Sequence, residues 1–308
     1  MNMPNLIVLV GLPASGKSYK SQELAKEYNA TVFSSDDLRQ EIFGDIDHQE
    51  DNDKLFKELH KRIKECLASS NSAIYDACNI SYKRRMAFLQ ELNKIPCEKI
   101  CVVMATPYEE CLKRNAERER KVPEYVIERM YKNFYIPWYI EGWDNIYIEY
   151  SDNSKNSFGT PKEWIATAMN FNQDNPHHKL TLGEHCLKVS QLVLNDVVYK
   201  DTPNTMELKY AGMLHDEGKI FTKNYIDSRG NSSEHAHYYQ HHCCGAYDSL
   251  FFEFPANHLY VAILILWHMR PYMAWDLSEK SKSKDKKLFG KRLFDDIILL
   301  NKADRSAK

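Results

Sequence analysis

The apolar run Leu6-Ile7-Val8-Leu9-Val10 opens directly into Gly11-Leu12-Pro13-Ala14-Ser15-Gly16-Lys17-Ser18. A strand, then GxxxxGK[ST], then a helix is a phosphate-binding loop, and it commits this part of the chain to a sheet whose strand ends face a nucleotide. Gly11 and Gly16 let the backbone wrap the phosphates, so that N–H groups from Ala14 to Ser18 and the positive end of the following helix reach them. Lys17 neutralises the β and γ oxygens, and Ser18 offers a hydroxyl to the metal. The expected cofactors are therefore ATP, or another nucleoside triphosphate, and Mg²⁺.

Short apolar strands recur at Thr31 to Phe33, Ala73 to Tyr75, Ile100 to Met104 and Ile146 to Ile148, with amphipathic helical stretches between them. This pattern predicts an α/β domain, a parallel sheet with helices on both faces. The polar stretch Ser151 to Ser157 reads as a junction, giving one domain over 1–152 and a second over 160–308. In the second part the spacing of Cys186, Val189, Leu192, Val193 and Val197 is helical and strand alternation is nearly missing, which predicts an all-α domain. The charged run Ser278 to Lys287 reads as a solvated loop. A chain of 308 residues is long enough for two cores.

A net charge of −2 does not suggest a protein that coats nucleic acid, yet it leaves local basic grooves open. No apolar run is long enough to predict a membrane span, and Met1-Asn2-Met3-Pro4 enters the first strand without a signal-peptide pattern, so a cytoplasmic protein is expected. The 8 cysteines, with no CxxC pair, read as reduced and mostly buried.

Ser34-Ser35-Asp36-Asp37-Leu38-Arg39 follows the second strand, at the sheet edge where ligands bind in open α/β folds. Asp36 can take the proton of an attacking hydroxyl, and Arg39 can hold that substrate's phosphate or orient the carboxylate; the alternative is a helix N-cap at Asp36 or Asp37. Asp76, ending the strand Ala73-Ile74-Tyr75, suits a carboxylate that holds a Mg²⁺-bound water or a basic partner. From Arg114 to Pro123 the chain is dense in guanidinium groups, so Arg114 and Arg118 are candidates to close over the triphosphate. The alternative is a solvated helix face with i,i+4 pairs.

In order and spacing, the first 150 residues resemble the 5′-hydroxyl polynucleotide kinase family. The matching motifs are Gly11 to Ser18, Asp36 to Arg39, Asp76 to Asn79, and Arg114-Asn115 with Arg118, Val122 and Pro123. The resemblance implies that Asp36 is the general base for a 5′-OH, that Arg39 contacts the acceptor phosphate and that Arg118 contacts the donor phosphates. Nucleotide and small-molecule kinases share parts of this set.

Of the 12 histidines, only His48 and His60 precede residue 170. The later ones surround His215-Asp216-Glu217-Gly218-Lys219: His185 upstream, then His235, His237, His241, His242 and His268, with Asp304 near the end. His237 and His241, four apart, are expected to share a helix face. Imidazoles with carboxylates suit a divalent transition metal, and Lys219 suits a phosphate oxygen beside it. This half resembles the HD superfamily of metal-dependent phosphohydrolases, whose ordered pattern is filled by His185, His215-Asp216 and Asp304. His241 and His268 match the added ligands of two-metal members. The resemblance implies one or two ions, with Mn, Fe, Co, Ni, Cu and Zn all compatible, and hydrolysis of a phosphate ester by metal-activated water.

Together the halves resemble bifunctional end-healing enzymes, in which one domain removes a 2′,3′-cyclic or terminal phosphate and the other phosphorylates a 5′-OH. That implies RNA or DNA ends as substrates and a ligase as functional partner. The alternative is a nucleotide or small-molecule kinase joined to an HD nucleotidase; a regulatory module with a lost HD activity fits the intact metal set poorly.

Overall fold

The computed structural model describes residues 3–176, 179–195 and 203–307; Val197 and the pair His177 and His178 lie outside them. The chain divides into two compact units, one of Met1–Met130 with Pro137–Asp152, the other of Tyr131–Ile136 with Asn153–Lys308.

The first unit carries β1 (Asn5–Val10), β2 (Thr31–Ser34), β3 (Ala73–Asp76), β4 (Glu98–Ala105) and β5 (Asn145–Tyr150), all parallel in the order β2-β3-β1-β4-β5. Its helices are α1 (Lys17–Tyr28), α2 (Ser35–Phe43), α3 (Asn52–Ala68), α4 (Tyr82–Glu91), α5 (Tyr108–Glu117) and α6 (Glu124–Lys132). Period-two alternation splits the sheet residues between two faces. Ile7, Leu9, Ile74, Ile100, Val102 and Met104 pack with Leu24 of α1. On the other face Tyr75 meets His60 of α3 and Phe88 of α4, with ring centroids 5.6 and 5.3 Å away. Helices therefore cover both faces. Because β1 lies between β3 and β4, its carboxyl end is the switch point where such sheets bind ligands.

The second unit is mainly helical: α7 (Pro161–Ala168), α8 (Leu182–Asn195), α9 (Thr205–Leu214), the single turn α10 (Lys219–Thr222), α11 (His241–Asp248), α12 (His258–Trp267) and α13 (Glu279–Ser306). Every residue of α12 from Leu259 to Trp267 is buried, as expected of a helix apolar on all sides that runs through a core. Tyr131 and Phe134 belong here because their rings pack on Tyr247 of α11, and the Tyr131 hydroxyl bonds to Asp248. The expected boundary near 152 therefore misses one segment of this core. No described helix is long and apolar enough to cross a membrane, and all 8 cysteines are free, with only Cys66 and Cys78 less than fully buried.

Three expectations are corrected. The second unit contains strands, an antiparallel pair of β6 (Asn224–Ile226) and β7 (Ser232–His237). Its turn is built by Asp227, whose carboxylate accepts from the backbone N–H groups of Arg229 and Asn231, and by Gly230 at φ +85°. The charged run from Ser278 is helix rather than loop: Ser278 caps Ser281 N–H, lysines and glutamate are good helix formers, and the helix kinks only at Gly290, φ +74°. His237 and His241 do not share a helix face, since His237 ends β7, His241 begins α11, and Gln240 at φ +66° turns the chain between them.

Candidate active sites

In the first unit the loop after β1 is shaped by glycine. A Cβ on Gly11 would stand 2.5 Å from Ser15 Oγ and 2.9 Å from Met104 Cβ, and Gly16 has φ +92°. Ala14 also adopts positive φ. Gly11 N–H donates to Cys78 O, and Thr106 Oγ1 donates to Ser15 O at 3.1 Å, which pins the loop to the ends of β3 and β4. Lys17 is buried and its Nζ donates to Gly11 O and Leu12 O, at 3.2 and 2.7 Å. The Ser15 hydroxyl is buried with no partner among the described residues. A buried donor left unpaired is costly, and a phosphate oxygen would satisfy it.

Asp76 stands behind Ser18. Its Oδ2 accepts from Ser21 Oγ at 3.3 Å. Burial pushes its carboxyl above the usual range, against the pull of Lys17, Ser18 and Ser21, and so favours a cationic partner. Asn79, at φ +49°, donates to Leu9 O while its own carbonyl accepts from Arg85, whose guanidinium forms a buried fork with Glu141. This network ties the ends of β1 and β3 together. The exposed Ser18 hydroxyl and Asp76 thus fit a hydrated Mg²⁺.

The helix cap after β2 is Ser34, whose Oγ accepts from Asp37 N–H, so Asp36 is not spent on capping. Arg39 is buried, with Nη1 on Asp36 Oδ1 at 2.9 Å, Nη2 on Asn52 Oδ1 at 3.0 Å and Nε without a partner among the described residues. Farther on, the Asn115 side chain exchanges two hydrogen bonds with the Val122 backbone and closes the loop from 116 to 121. Within the arginine-rich run the roles divide. Arg114 bonds Glu110 in an i,i+4 pair on a part-exposed helix face, Arg118 is exposed at the C-cap of α5 with no side-chain hydrogen bond seen among the described residues, and Arg120 reaches Asp36 Oδ2, Asp47 Oδ1 and Ile46 O at 2.9, 2.7 and 3.2 Å. Arg120 was not singled out by sequence, and its spacing carries no motif that would have found it.

In the second unit five segments converge. His185 comes from α8, His215 and Asp216 from the end of α9, His241 from the start of α11, His268 from the end of α12 and Asp304 from α13. Ligand atoms of His185, His215 and Asp304 lie within 4.8 Å of one another, as do those of Asp216, His241 and His268. Asp216 spans both sets: Oδ2 is 3.5 and 3.4 Å from His185 and His215, Oδ1 3.2 and 3.8 Å from His241 and His268.

The orientation of the four imidazoles decides their chemistry. Nδ1 of His185, His215, His241 and His268 faces the carbonyls of Ala307, Gly212, Tyr238 and Ile265 at 3.3, 3.0, 2.8 and 2.6 Å. A carbonyl only accepts, so each Nδ1 carries the proton and each Nε2 turns a lone pair inward. Those lone pairs meet in pairs, His185 with His215 at 3.2 Å and His241 with His268 at 3.3 Å. Such contacts repel unless a cation lies between them, so the donor set fits divalent metal, with Asp216 in reach of both ligand groups. Burial opposes the charge on Asp216, and the Lys219 ammonium overrides it, holding its carboxyl well below the usual range.

Around these ligands stand Gln173 and Tyr272, which sequence did not flag, beside Lys219, which it did. Lys219 Nζ bonds Asp216 Oδ2 at 2.7 Å and Gln173 Oε1 at 2.8 Å, and Tyr272 donates to Asp304 Oδ2 at 3.0 Å. Gly218 is required because a Cβ there would stand 2.2 Å from His241 O. Isolated Gln and Tyr residues distant in sequence give no signal of these roles. His235, His237 and His242 do not join the metal-ligand sets found among the described residues.

Comparison with known proteins covers the first unit and, for one relative, extends beyond it. Residues 6–137 match the family described as an AAA domain. The first unit, a parallel sheet with helices on both faces and a phosphate-binding loop, is consistent with a P-loop kinase fold. The chain is 27% identical over 223 residues, 71% of its length and 83% of the relative's, to L-seryl-tRNA(Sec) kinase of Methanococcus maripaludis. Among solved structures it is similar to a chain of a Pnkp1/Rnl/Hen1 RNA repair complex, 24% identical, covering 42% of this chain and 43% of that one with a TM-score of 0.36. It is also similar to a gluconokinase from Sinorhizobium meliloti 1021, 17% identical, covering 50% and 86% with a TM-score of 0.37. P-loop kinases typically use ATP or another nucleoside triphosphate with Mg²⁺.

Proposed function

We propose that the protein heals nucleic-acid ends: the first unit phosphorylates a 5′-OH from ATP, and the second is an HD-type metal-dependent phosphoesterase that removes a 2′,3′-cyclic or terminal phosphate. The observation that carries the reading is the ring of four inward Nε2 atoms and two carboxylates in a chain that also bears a P-loop.

In the kinase unit, Lys17 and the loop N–H groups hold the triphosphate, Ser18 and Asp76 hold Mg²⁺, Asp36 takes the acceptor proton, Arg39 orients Asp36 and meets the acceptor phosphate, and Arg114 and Arg118 are the lid groups for the donor. Phosphoryl transfer needs alignment and charge neutralisation more than covalent help, which is what this set supplies. In the second unit His185, His215, Asp304, Asp216, His241 and His268 would hold the metal, as one ion or two. Such ions supply Lewis acidity and a water of lowered pKa. Lys219, anchored by Asp216 and Gln173, is placed to meet a phosphate oxygen.

A second reading, favoured by the likeness to L-seryl-tRNA(Sec) kinase, is that the acceptor is the serine hydroxyl of a charged tRNA. One experiment separates them. An oligoribonucleotide with 5′-OH and 2′,3′-cyclic phosphate ends is incubated with γ-labelled ATP, in parallel with seryl-tRNA, and both ends are read. Label at the 5′ end and opening of the cyclic phosphate are expected; label on seryl-tRNA alone would replace the first reading by the second.

A further inference from the structure

We propose that Arg120 is a positioning residue for Asp36: together with Arg39 it fixes the orientation of the carboxylate that receives the acceptor's proton. The inference rests on Asp36 being the kinase base. The Asp36 side chain is 45% exposed, and an exposed side chain exchanges rotamers rapidly unless something holds it. Arg39 fastens Oδ1 at 2.9 Å from three positions along the same helix, and Arg120 fastens Oδ2 at 2.9 Å from 84 positions away. One bond leaves a carboxylate able to swing about it; one bond to each oxygen, from two segments of the chain, defines its plane. An ionised carboxylate has about four acceptor positions, so a hydroxyl can bond to Asp36 with both arginines in place and water around it.

Arg120 can serve as a brace because it is itself held. Nε donates to Asp47 Oδ1 at 2.7 Å and Nη2 to Ile46 O at 3.2 Å, both in the segment that follows α2. A lone exposed ion pair holds little, but here one planar fork is shared among two carboxylates and a main-chain carbonyl. The loop that carries Arg120 is also closed at its base, where the Asn115 side chain exchanges two hydrogen bonds with the Val122 backbone. The same guanidinium therefore joins the loop after α5 to the acceptor side of the site. Arg118, in that loop, makes no such contact with Asp36.

The test is a double-mutant cycle on labelled phosphate transfer, run with the 5′-OH oligoribonucleotide and with seryl-tRNA as acceptors. Arg120→Ala should lower kcat about tenfold or more, within the cost of misplacing a reacting group, with KM for ATP little changed. In an Asp36→Ala background, read with enzyme in excess, the same substitution should cost nothing further, because there is no carboxylate left to position. Arg120→Lys should recover only part of the rate, since an ammonium cannot span three acceptors. Asp47→Asn, which weakens one anchor at an exposed site, should lower kcat by a smaller factor and guards against misfolding of the first variant. An equal loss in both backgrounds would show that Arg120 acts independently of Asp36 and would overturn the proposal, as would an unchanged kcat in Arg120→Ala. Failure of the underlying reading looks different: Asp36→Ala alone would keep full transfer to the acceptor.

Discussion

The two units assemble their sites in opposite ways. The phosphate loop takes nearly all its groups from one stretch of eight residues, Gly11 to Ser18, and uses backbone N–H groups, so its geometry follows from one strand end and two glycines in strained conformations or close contact. The candidate metal set draws on residues from 185 to 304, and each imidazole is aimed by a backbone carbonyl from a different segment: Ala307, Gly212, Ile265 and the loop residue Tyr238. A local site survives errors elsewhere in the fold; a distributed one depends on the packing of the whole unit. Loss of one group should therefore be confined to its own unit, while sensitivity to supporting residues should be greater in the second.

The largest effect is expected at Asp216, whose two oxygens join both ligand sets. Asp216→Ala should abolish phosphate-ester hydrolysis and metal retention, and leave labelled phosphate transfer by the kinase near normal; loss of transfer as well would break the independence of the units. Lys17→Ala should reverse that pattern, lowering transfer by about a hundredfold or more, as expected for removal of a group aimed at developing charge. Hydrolysis in that variant should stay at the wild-type rate.

A supporting residue sharpens the contrast. Tyr272→Phe removes the hydrogen bond to Asp304 Oδ2 and should lower metal affinity or hydrolysis about 10- to 100-fold, the usual cost of removing an outer-shell partner. A chelator titration measures it, and an unchanged affinity would show that the hydroxyl does not orient the ligand.

These residues also show what sequence could disclose. The P-loop, the five parallel strands and the gathering of His185, His215, Asp216, His241, His268 and Asp304 were legible because glycine spacing, alternating burial and ordered His and Asp residues leave local marks. Tyr272, Gln173 and Arg120 left none, since each acts through a partner 32, 46 or 84 positions away. The β6–β7 hairpin was hidden because Ser232–His237 is polar and, apart from Ala236, not fully buried, so no period-two apolar face exists to read. The run after Ser278 was hidden for the converse reason: a helix made almost wholly of charged residues has no apolar stripe over its first two turns, and only its cap betrays it.

The last expected effect is on the first unit's stability. Burial lowers the His60 pKa to about 4, against the pull of Glu91, while in the unfolded chain it titrates near 6.5. The neutral form is favoured by folding, so this contribution is complete above pH 6.5 and is lost as pH falls toward 4, by at most about 3 kcal/mol. Denaturant unfolding followed from pH 7 to 4 should show the loss, and His60→Phe should flatten it; identical slopes in both proteins would remove His60 from the account.

The claim on which the comparison rests is that the second unit is a metal centre, and elemental analysis of the purified full chain tests it most directly. One or two equivalents of transition metal per chain are predicted from the ligand sets, falling sharply in Asp216→Ala while Lys17→Ala retains them. Wild-type protein that holds no transition metal after reconstitution, yet hydrolyses a 2′,3′-cyclic phosphate at full rate, would contradict it.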